Sequence, residues 1–125
     1  MEFDAMSPIW MQVVNSIKAE LVSGKLQPGD KLPSGRELAL KYSINPNTAA
    51  RVYQELEAEG LCAPRRGLGT FVTADAHRVG LLRQKMARDA LERCMHTLES
   101  LGVSRQEAAC GITQIFAPVL DVTRD

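Results

Sequence analysis

The sequence contains few of the residue types from which metal sites and disulfide frameworks are built. Its 125 residues include three cysteines and two histidines. The cysteines are odd in number and lack the spacing of metal ligands, and His77 and His96 are isolated, so we expect neither a metal site nor a cofactor. We interpret Cys62, Cys94 and Cys110 as small apolar core residues of a protein in a reducing compartment.

Long apolar segments and the motifs of common enzyme sites are also missing. There is no apolar run of about 18 residues, the length that can span a membrane, and the N-terminus is a short acidic segment without the features of a signal peptide. The sequence contains no glycine-rich phosphate loop and no nucleophile elbow. We therefore predict a cytoplasmic protein that is not an enzyme.

Two helix starts occur close together in the first half of the chain. Ser34 and Glu37 have the spacing of a capping box, in which each side chain accepts a hydrogen bond from the backbone of the other residue. Asn45 followed by Pro46 is typical of an N-cap with proline at the first helical position. Gly60 is expected to end the helix that follows, because glycine readily adopts the left-handed conformation found after helices.

The helix after Asn45 has two chemically different faces. Its apolar residues recur at three- and four-residue spacing, which predicts one buried face formed by Ala49, Val52, Tyr53 and Leu56. The opposite face carries four side chains that can hydrogen-bond to phosphates or base edges, namely Asn47, Thr48, Arg51 and Gln54. None of these four is acidic, so this face suits a polyanion.

After this helix the pattern changes to that of a hairpin with a basic tip. The tip contains Arg65 and Arg66, and the nearby Gly67 and Gly69 allow a sharp turn. The predicted elements are helices at 8–23, 34–42 and 46–59, wing strands at 61–64 and 70–73, and a short strand at 31–32 that pairs with the wing. This order predicts a mostly α fold with a small β-wing, which is a winged helix-turn-helix.

Three runs of residues continue this pattern in register with a known family. They are Gly24-Lys25-Leu26-Gln27-Pro28-Gly29-Asp30-Lys31-Leu32-Pro33-Ser34, Arg36-Glu37-Leu38-Ala39 and Arg66-Gly67-Leu68-Gly69-Thr70-Phe71-Val72. With these runs, residues 8–73 resemble the N-terminal domain of the GntR family of bacterial transcription regulators. A fourth run is similar to the YtrA-type subfamily, namely Asn45-Pro46-Asn47-Thr48-Ala49-Ala50-Arg51-Val52-Tyr53-Gln54-Glu55-Leu56.

The resemblance implies a sequence-specific regulator that binds double-stranded operator DNA, and most simply a repressor that binds a palindromic operator as a homodimer. It also implies that Arg36 and Arg51 read sequence, while Arg65 and Arg66 act through the wing. The complete implied set of DNA-binding residues is Ser34, Arg36, Asn45, Asn47, Thr48, Arg51, Gln54, Arg65, Arg66, Gly67, Gly69 and Thr70. Ala50 stands where many family members outside the YtrA type carry arginine, so Arg51 is the one cation in the recognition helix.

The overall charge does not by itself indicate a nucleic-acid partner. The chain carries 15 cationic and 15 anionic residues, whereas many DNA-binding domains are basic. Residues 31–70, however, contain six cations and four anions, a net charge of +2, and three of the anions lie near the end of the third helix. Because this excess is small, we expect the affinity for DNA to depend strongly on dimerisation.

Residues 76–125 are predicted to form two helices that follow a DNA-binding domain of residues 1–75. An apolar stripe predicts a long helix at 78–101, and the Ser104–Glu107 capping box predicts the start of the last one. These helices could fold back on the winged helix or pair with a second copy. We favour pairing, because two-fold symmetry would match a palindromic operator. The expected dimerisation residues are Leu82, Met86, Leu91, Met95, Leu98, Ile112, Ile115 and Phe116.

Two other functions compete with this interpretation. Some winged helices bind protein partners, but a protein-interaction module has no need of cations at Arg36, Arg51 and the wing tip. An enzyme is disfavoured by the missing motifs. Two C-terminal helices also leave little room for an enclosed ligand pocket of about 300 Å³ or more. A small-molecule effector, whose existence is open, would therefore bind at the dimer interface or at the domain junction.

Overall fold

The computed structural model describes residues 2–122, with side chains described as far as Gln114. Five helices and two strands form this part of the chain: α1 (Ile9–Val22), α2 (Gly35–Tyr42), α3 (Pro46–Ala58), β1 (Cys62–Arg65), β2 (Gly69–Val72), α4 (Ala76–Ser100) and α5 (Arg105–Val122). The predicted fold class, mostly helical with a small β-wing, is confirmed.

The starts of α2 and α3 have the predicted caps. Ser34 Oγ accepts a hydrogen bond from the Glu37 backbone N–H at 3.2 Å, and Glu37 Oε1 accepts one from the Ser34 N–H at 3.2 Å. Asn45 Oδ1 accepts from the Asn47 N–H at 2.8 Å. Each such cap stabilises its helix by about 1 kcal/mol. Between the helices, Ser43 adopts the left-handed conformation with φ of 53°, which makes the turn short.

The wing is a two-stranded antiparallel hairpin. Cys62 pairs with Val72 and Arg65 with Gly69, so each strand lies one residue from its predicted position. The predicted short strand appears as a single bridge between Lys31 and Phe71, supported by a 2.8 Å hydrogen bond from the Leu32 N–H to the Thr70 carbonyl. The loop before α2 is therefore attached to the wing.

The core of the winged helix forms where α1, α2, α3 and the wing meet. Its members are Val13, Val14, Ile17, Leu21, Leu32, Leu38, Ala39, Tyr42, Ala49, Val52, Tyr53, Leu56, Leu61, Cys62 and Val72. The largest fully buried side chains, Leu38, Leu56, Val13 and Val52, each contribute about 1.5–3 kcal/mol by leaving water. The four-residue apolar spacing Ile9, Val13 and Ile17 in α1 predicts that Ile9 also joins this core. Ile9 is instead 46% exposed, because it begins α1 beyond the packed face.

The chain divides into two compact units, Met1–Arg83 and Gln84–Asp125. The first unit includes the first turns of α4, which follow the predicted domain boundary after residue 75. Two contacts explain this extension: Leu82 packs against the winged-helix core, and Arg78 Nη1 donates a hydrogen bond to the Glu59 carbonyl at 3.3 Å. Leu82, which we predicted in a dimer surface, is half-buried and packs against the core of its own unit.

The second unit has a local structure close to the prediction. Gly102 follows α4 with φ of 83°, and the Glu107 N–H donates to Ser104 Oγ at 3.1 Å at the start of α5. Cys94 and Cys110 are exposed, so assigning all three cysteines to the core is wrong; Cys62 alone is buried. The predicted interface side chains of Ile115 and Phe116 lie outside the described residues.

Candidate nucleic-acid interface

The exposed face of α3 carries the side chains that we expected to contact DNA. Asn47, Arg51 and Gln54 are exposed and Thr48 is half-buried, while the four predicted apolar residues of α3 are buried on the other side. The first turn of α3 contains no acidic residue. Because the backbone N–H groups at a helix N-terminus attract anions, this end of α3 is suited to approach a phosphate backbone.

Arg51 is held against an aromatic ring that the sequence did not link to it. Its guanidinium carbon lies 4.2 Å from the centroid of the Trp10 ring. Trp10 belongs to α1, is half-buried and packs against the core. A cation–π contact at an exposed site contributes about 0.5–1 kcal/mol. Arg51 therefore has a preferred position on the α3 surface before any ligand binds.

Two side chains predicted to contact DNA, Ser34 and Asn45, already form hydrogen bonds within the protein as N-caps. Arg36 is exposed in the first turn of α2. The side-chain oxygens of Ser34 and Asn45 accept hydrogen bonds in the caps. Each side chain can still donate to a phosphate, Ser34 through its hydroxyl hydrogen and Asn45 through its amide N–H groups. The capping role and the proposed DNA contact are compatible at both positions.

The wing tip combines positive charge with an unusual backbone. Arg65 and Arg66 are exposed, and Gly67 and Gly69 have φ of 75° and 114°, which only glycine adopts readily. The Arg65 guanidinium lies 4.3 Å from the Phe71 ring centroid. Thr70 is half-buried on β2, and its backbone carbonyl accepts a hydrogen bond from the Leu32 N–H.

Lys31 adds a cation beside the wing that the predicted site did not include. Its Cε would lie 2.9 Å from a Cβ atom placed on Gly69. Glycine at this position therefore serves two purposes, since it permits the positive φ and leaves room for the lysine side chain.

Two basic residues contact Glu59 at the acidic end of α3. Lys18 forms an ion pair with Glu59 at 2.8 Å, and Arg78 donates to the Glu59 carbonyl. Neither contact had a signal in the sequence, because each joins α3 to a residue on a distant helix. The ion pair offsets the charge of the Glu59 carboxylate, and both contacts hold the end of α3.

Hydrogen bonding and burial shift the pKa values of three side chains around the candidate interface. The backbone and side-chain hydrogen bonds of Ser34 hold the pKa of Glu37 below its usual value, which keeps the capping carboxylate ionised. Burial raises the pKa of Tyr53, whose hydroxyl donates to the Pro33 carbonyl and joins α3 to the loop before α2. Burial also raises the pKa of Cys62 to about 12, so its thiol stays protonated and unreactive at neutral pH.

Among residues 2–114, whose side chains the structure describes, no group of three or more His, Cys, Asp or Glu side chains is arranged to hold a metal ion. None of the helices between residues 2 and 122 has both the length and the apolar character needed to cross a bilayer.

Comparison with known proteins identifies relatives that match along most of the chain. The chain is 40% identical over 111 residues to the HTH-type transcriptional regulator YhcF of Bacillus subtilis. This alignment covers 89% of this chain and 92% of that protein. It is 36% identical over 115 residues to the HTH-type transcriptional repressor YtrA of Bacillus subtilis, covering 90% and 88%.

Solved structures agree with these sequence relatives. A GntR family transcriptional regulator from Listeria monocytogenes superposes with a TM-score of 0.81 at 35% identity, covering 90% of this chain and 98% of that chain. The DNA-binding domain of AraR, solved in complex with an operator, matches with a TM-score of 0.53 at 29% identity, covering 58% of this chain and 88% of that chain.

The family model for bacterial regulatory proteins of the gntR family matches residues 11–72, which span most of α1 and all of α2, α3 and the wing. Together with the relatives that match along most of the length, this match confirms the resemblance found in the sequence. The chain belongs to the GntR family of transcription regulators, with a winged helix-turn-helix DNA-binding domain and small YtrA-type regulators among its relatives.

Proposed function

We propose that this protein represses transcription by binding a palindromic operator as a homodimer in the cytoplasm. The observation that carries the proposal is the exposed polar face of α3, where Arg51 is positioned over Trp10 and no acidic side chain occupies the first turn. Among its relatives, YtrA is named as a repressor and AraR was solved with its operator, which supports both DNA binding and repression.

The proposed docking places α3 in the major groove with its N-terminus leading. Asn47, Arg51 and Gln54 would meet base edges, because arginine and amide side chains form the hydrogen-bond pairs that distinguish bases there. Arg36 would reach bases or adjacent phosphates from the start of α2, and Ser34, Asn45 and Thr48 would contact phosphates. This arrangement keeps the acidic residues at the far end of α3 away from the DNA.

The wing would contact the backbone or the minor groove beside α3. Arg65 and Arg66 supply charge, while Gly67 and Gly69 allow the main chain to approach closely and Thr70 follows at the start of β2. Because phosphate contacts carry no sequence information, the wing should add affinity for all DNA.

The homodimer is proposed from the exposed apolar residues of the second unit. Leu91 is 67% exposed, Leu101 71% and Ile112 47%, while Met86, Met95 and Leu98 are half-buried. A water-exposed helical surface with this many large apolar side chains is unfavourable unless a partner covers it. A second copy provides a self-complementary surface and the two-fold symmetry of a palindrome.

Two cavities lie within the first unit. One, of about 210 Å³, lies between the end of α1 and the start of α4 and is lined in part by Leu21, Leu26, Val79 and Arg83. The other, of about 360 Å³, lies beside the wing and is lined in part by Cys62, Arg65 and Phe71. The second cavity reaches the approximately 300 Å³ at which typical ligand pockets begin, but the proposed function does not require an effector.

The test is a footprint on DNA flanking the protein's own coding region, followed by binding measurements on the protected fragment. We expect two half-sites about 10 base pairs apart, or a multiple of that spacing, as a two-fold dimer requires. Arg36→Ala and Arg51→Ala should each weaken operator binding by about 1–3 kcal/mol, whereas Arg93→Ala, which removes an exposed arginine from α4, should not. Unchanged operator affinity in both interface variants would contradict the assignment.

A second measurement separates the wing from α3. The double variant Arg65→Ala/Arg66→Ala should weaken binding to all DNA sequences similarly and reduce the dependence of affinity on salt, because it removes phosphate contacts. If the variant instead lost discrimination at one operator base pair, the wing would be reading sequence.

A further inference from the structure

Trp10 is the one tryptophan in the sequence, and it lies under the one cation of α3. Its ring is supported from below by the winged-helix core, against which it packs. Its exposure is intermediate, so one face of the ring is available to the guanidinium of Arg51. The contact thus joins α1, which carries none of the proposed base-reading residues, to the side chain most suited to read a base.

Stacking leaves the hydrogen-bonding groups of the arginine free. A guanidinium over an aromatic ring uses its flat face for the contact, and its N–H groups point outward in the plane. Those N–H groups are what a guanine edge accepts in the major groove, through O6 and N7. Arg51 can therefore remain over Trp10 and contact a base at the same time.

Stacking also restricts where those N–H groups point. An unsupported arginine on an exposed helix surface samples many rotamers and must lose that freedom on binding. A guanidinium already held over a fixed ring loses less, and its position relative to α3 is set by the packing of α1. Discrimination between bases depends strongly on the orientation of the Arg51 N–H groups, whereas general attraction to phosphate depends on it less.

We propose that Trp10 is a positioning residue for operator recognition, holding Arg51 so that its N–H groups face a guanine edge in the major groove. This inference rests on the proposed function, since it requires that α3 reads the operator. It predicts that Trp10 contributes to specificity for operator over other DNA without contacting a base itself.

The stack can be tested first without DNA. In full-length protein labelled at arginine, the Arg51 side-chain N–H signals should be shifted by the ring current of Trp10. Trp10→Leu, which retains an apolar side chain for packing, should move those signals to ordinary arginine values. Unchanged signals in this variant would overturn the proposal, because the contact would then be absent in solution.

The DNA measurements use wild type, Trp10→Phe, Trp10→Leu, Arg51→Ala and the double variant Trp10→Leu/Arg51→Ala, each checked for folding by its thermal transition. Trp10→Leu should weaken operator binding about two- to fivefold, the scale of a cation–π contact, and leave binding to unrelated DNA nearly unchanged. Trp10→Phe should lie between Trp10→Leu and wild type. The double variant should bind no more weakly than Arg51→Ala alone, since Trp10 acts through Arg51.

The outcomes separate this inference from the proposed function. If wild type binds its operator and Arg51→Ala weakens binding, but Trp10→Leu has no effect or an additive one, the positioning role is wrong and the proposed function stands. If Trp10→Leu binds the operator more tightly than wild type, the ring competes with DNA for Arg51 and the inference is overturned. If wild type recognises no operator, the proposed function fails and this inference fails with it.

Discussion

The two compact units bury very different amounts of apolar surface. Fifteen side chains form a continuous core in the unit Met1–Arg83, whereas in the unit Gln84–Asp125 the one buried side chain among those described is Ala108. Leu91, Leu101 and Ile112 of the second unit are largely exposed. The winged helix therefore contains the contacts needed for its own stability, whereas the second unit has an exposed apolar surface suited to a partner.

The largest effect should come from a cavity in the core of the first unit. Leu38→Ala removes a side chain that is 1% exposed, so it should lower the free energy of unfolding by about 2–5 kcal/mol. Leu40→Ala, on the same helix but 75% exposed, should change it very little. Denaturant unfolding of both variants tests the contrast, and equal effects would mean that α2 is not anchored through Leu38.

The next effect concerns the second unit and depends on a partner. Leu98→Glu should weaken dimerisation about 100-fold, because a carboxylate without a partner is costly to bury, and it should reduce operator affinity. Sedimentation measures the dimer, and Thr97→Glu, which adds the same charge at an exposed neighbouring position, is the control. A Leu98→Glu protein that stays dimeric would place the interface elsewhere.

A smaller effect should appear at the end of α3. Gly60 has φ of 73°, so Gly60→Ala should destabilise the first unit by about 1–2 kcal/mol. The new Cβ would also lie 2.6 Å from Arg78 Nη1 and displace the hydrogen bond to Glu59. Thermal unfolding measures the loss. If removing Arg78 as well abolished the penalty, the clash and not the backbone conformation would be its cause.

The smallest effect should be a pH dependence from the capping box of α2. Hydrogen bonds from Ser34 lower the pKa of Glu37 in the folded protein. The resulting stability is present above the pKa of an unfolded glutamate, about 4.3, and is lost as pH falls through the lower folded value. Glu37→Gln should remove this part of the acid dependence of unfolding. An unchanged profile would mean that the carboxylate contributes nothing to the cap.

Features that depend on neighbouring residues could be predicted from the sequence. The predictions of the caps at Ser34 and Asn45, of the left-handed Gly60 and, to within one residue, of the wing strand positions were correct. These features depend on residues that are close together in the chain. The exposed face of α3 followed from helical periodicity. Ile9 was misplaced because the same periodicity does not say where along a helix the packed face begins.

The sequence by itself determined the order of elements, the family and the residue types on the recognition helix, since these depend on short-range hydrogen bonds, spacing and recognisable runs. The tertiary structure decided which residues from other elements support the recognition helix and the wing. Four contacts each join elements that are separate in the chain: Arg51 over Trp10, Arg78 at the end of α3, Lys31 beside Gly69, and Leu82 against the first core. Such contacts depend on how helices pack in space, and no local pattern specifies that.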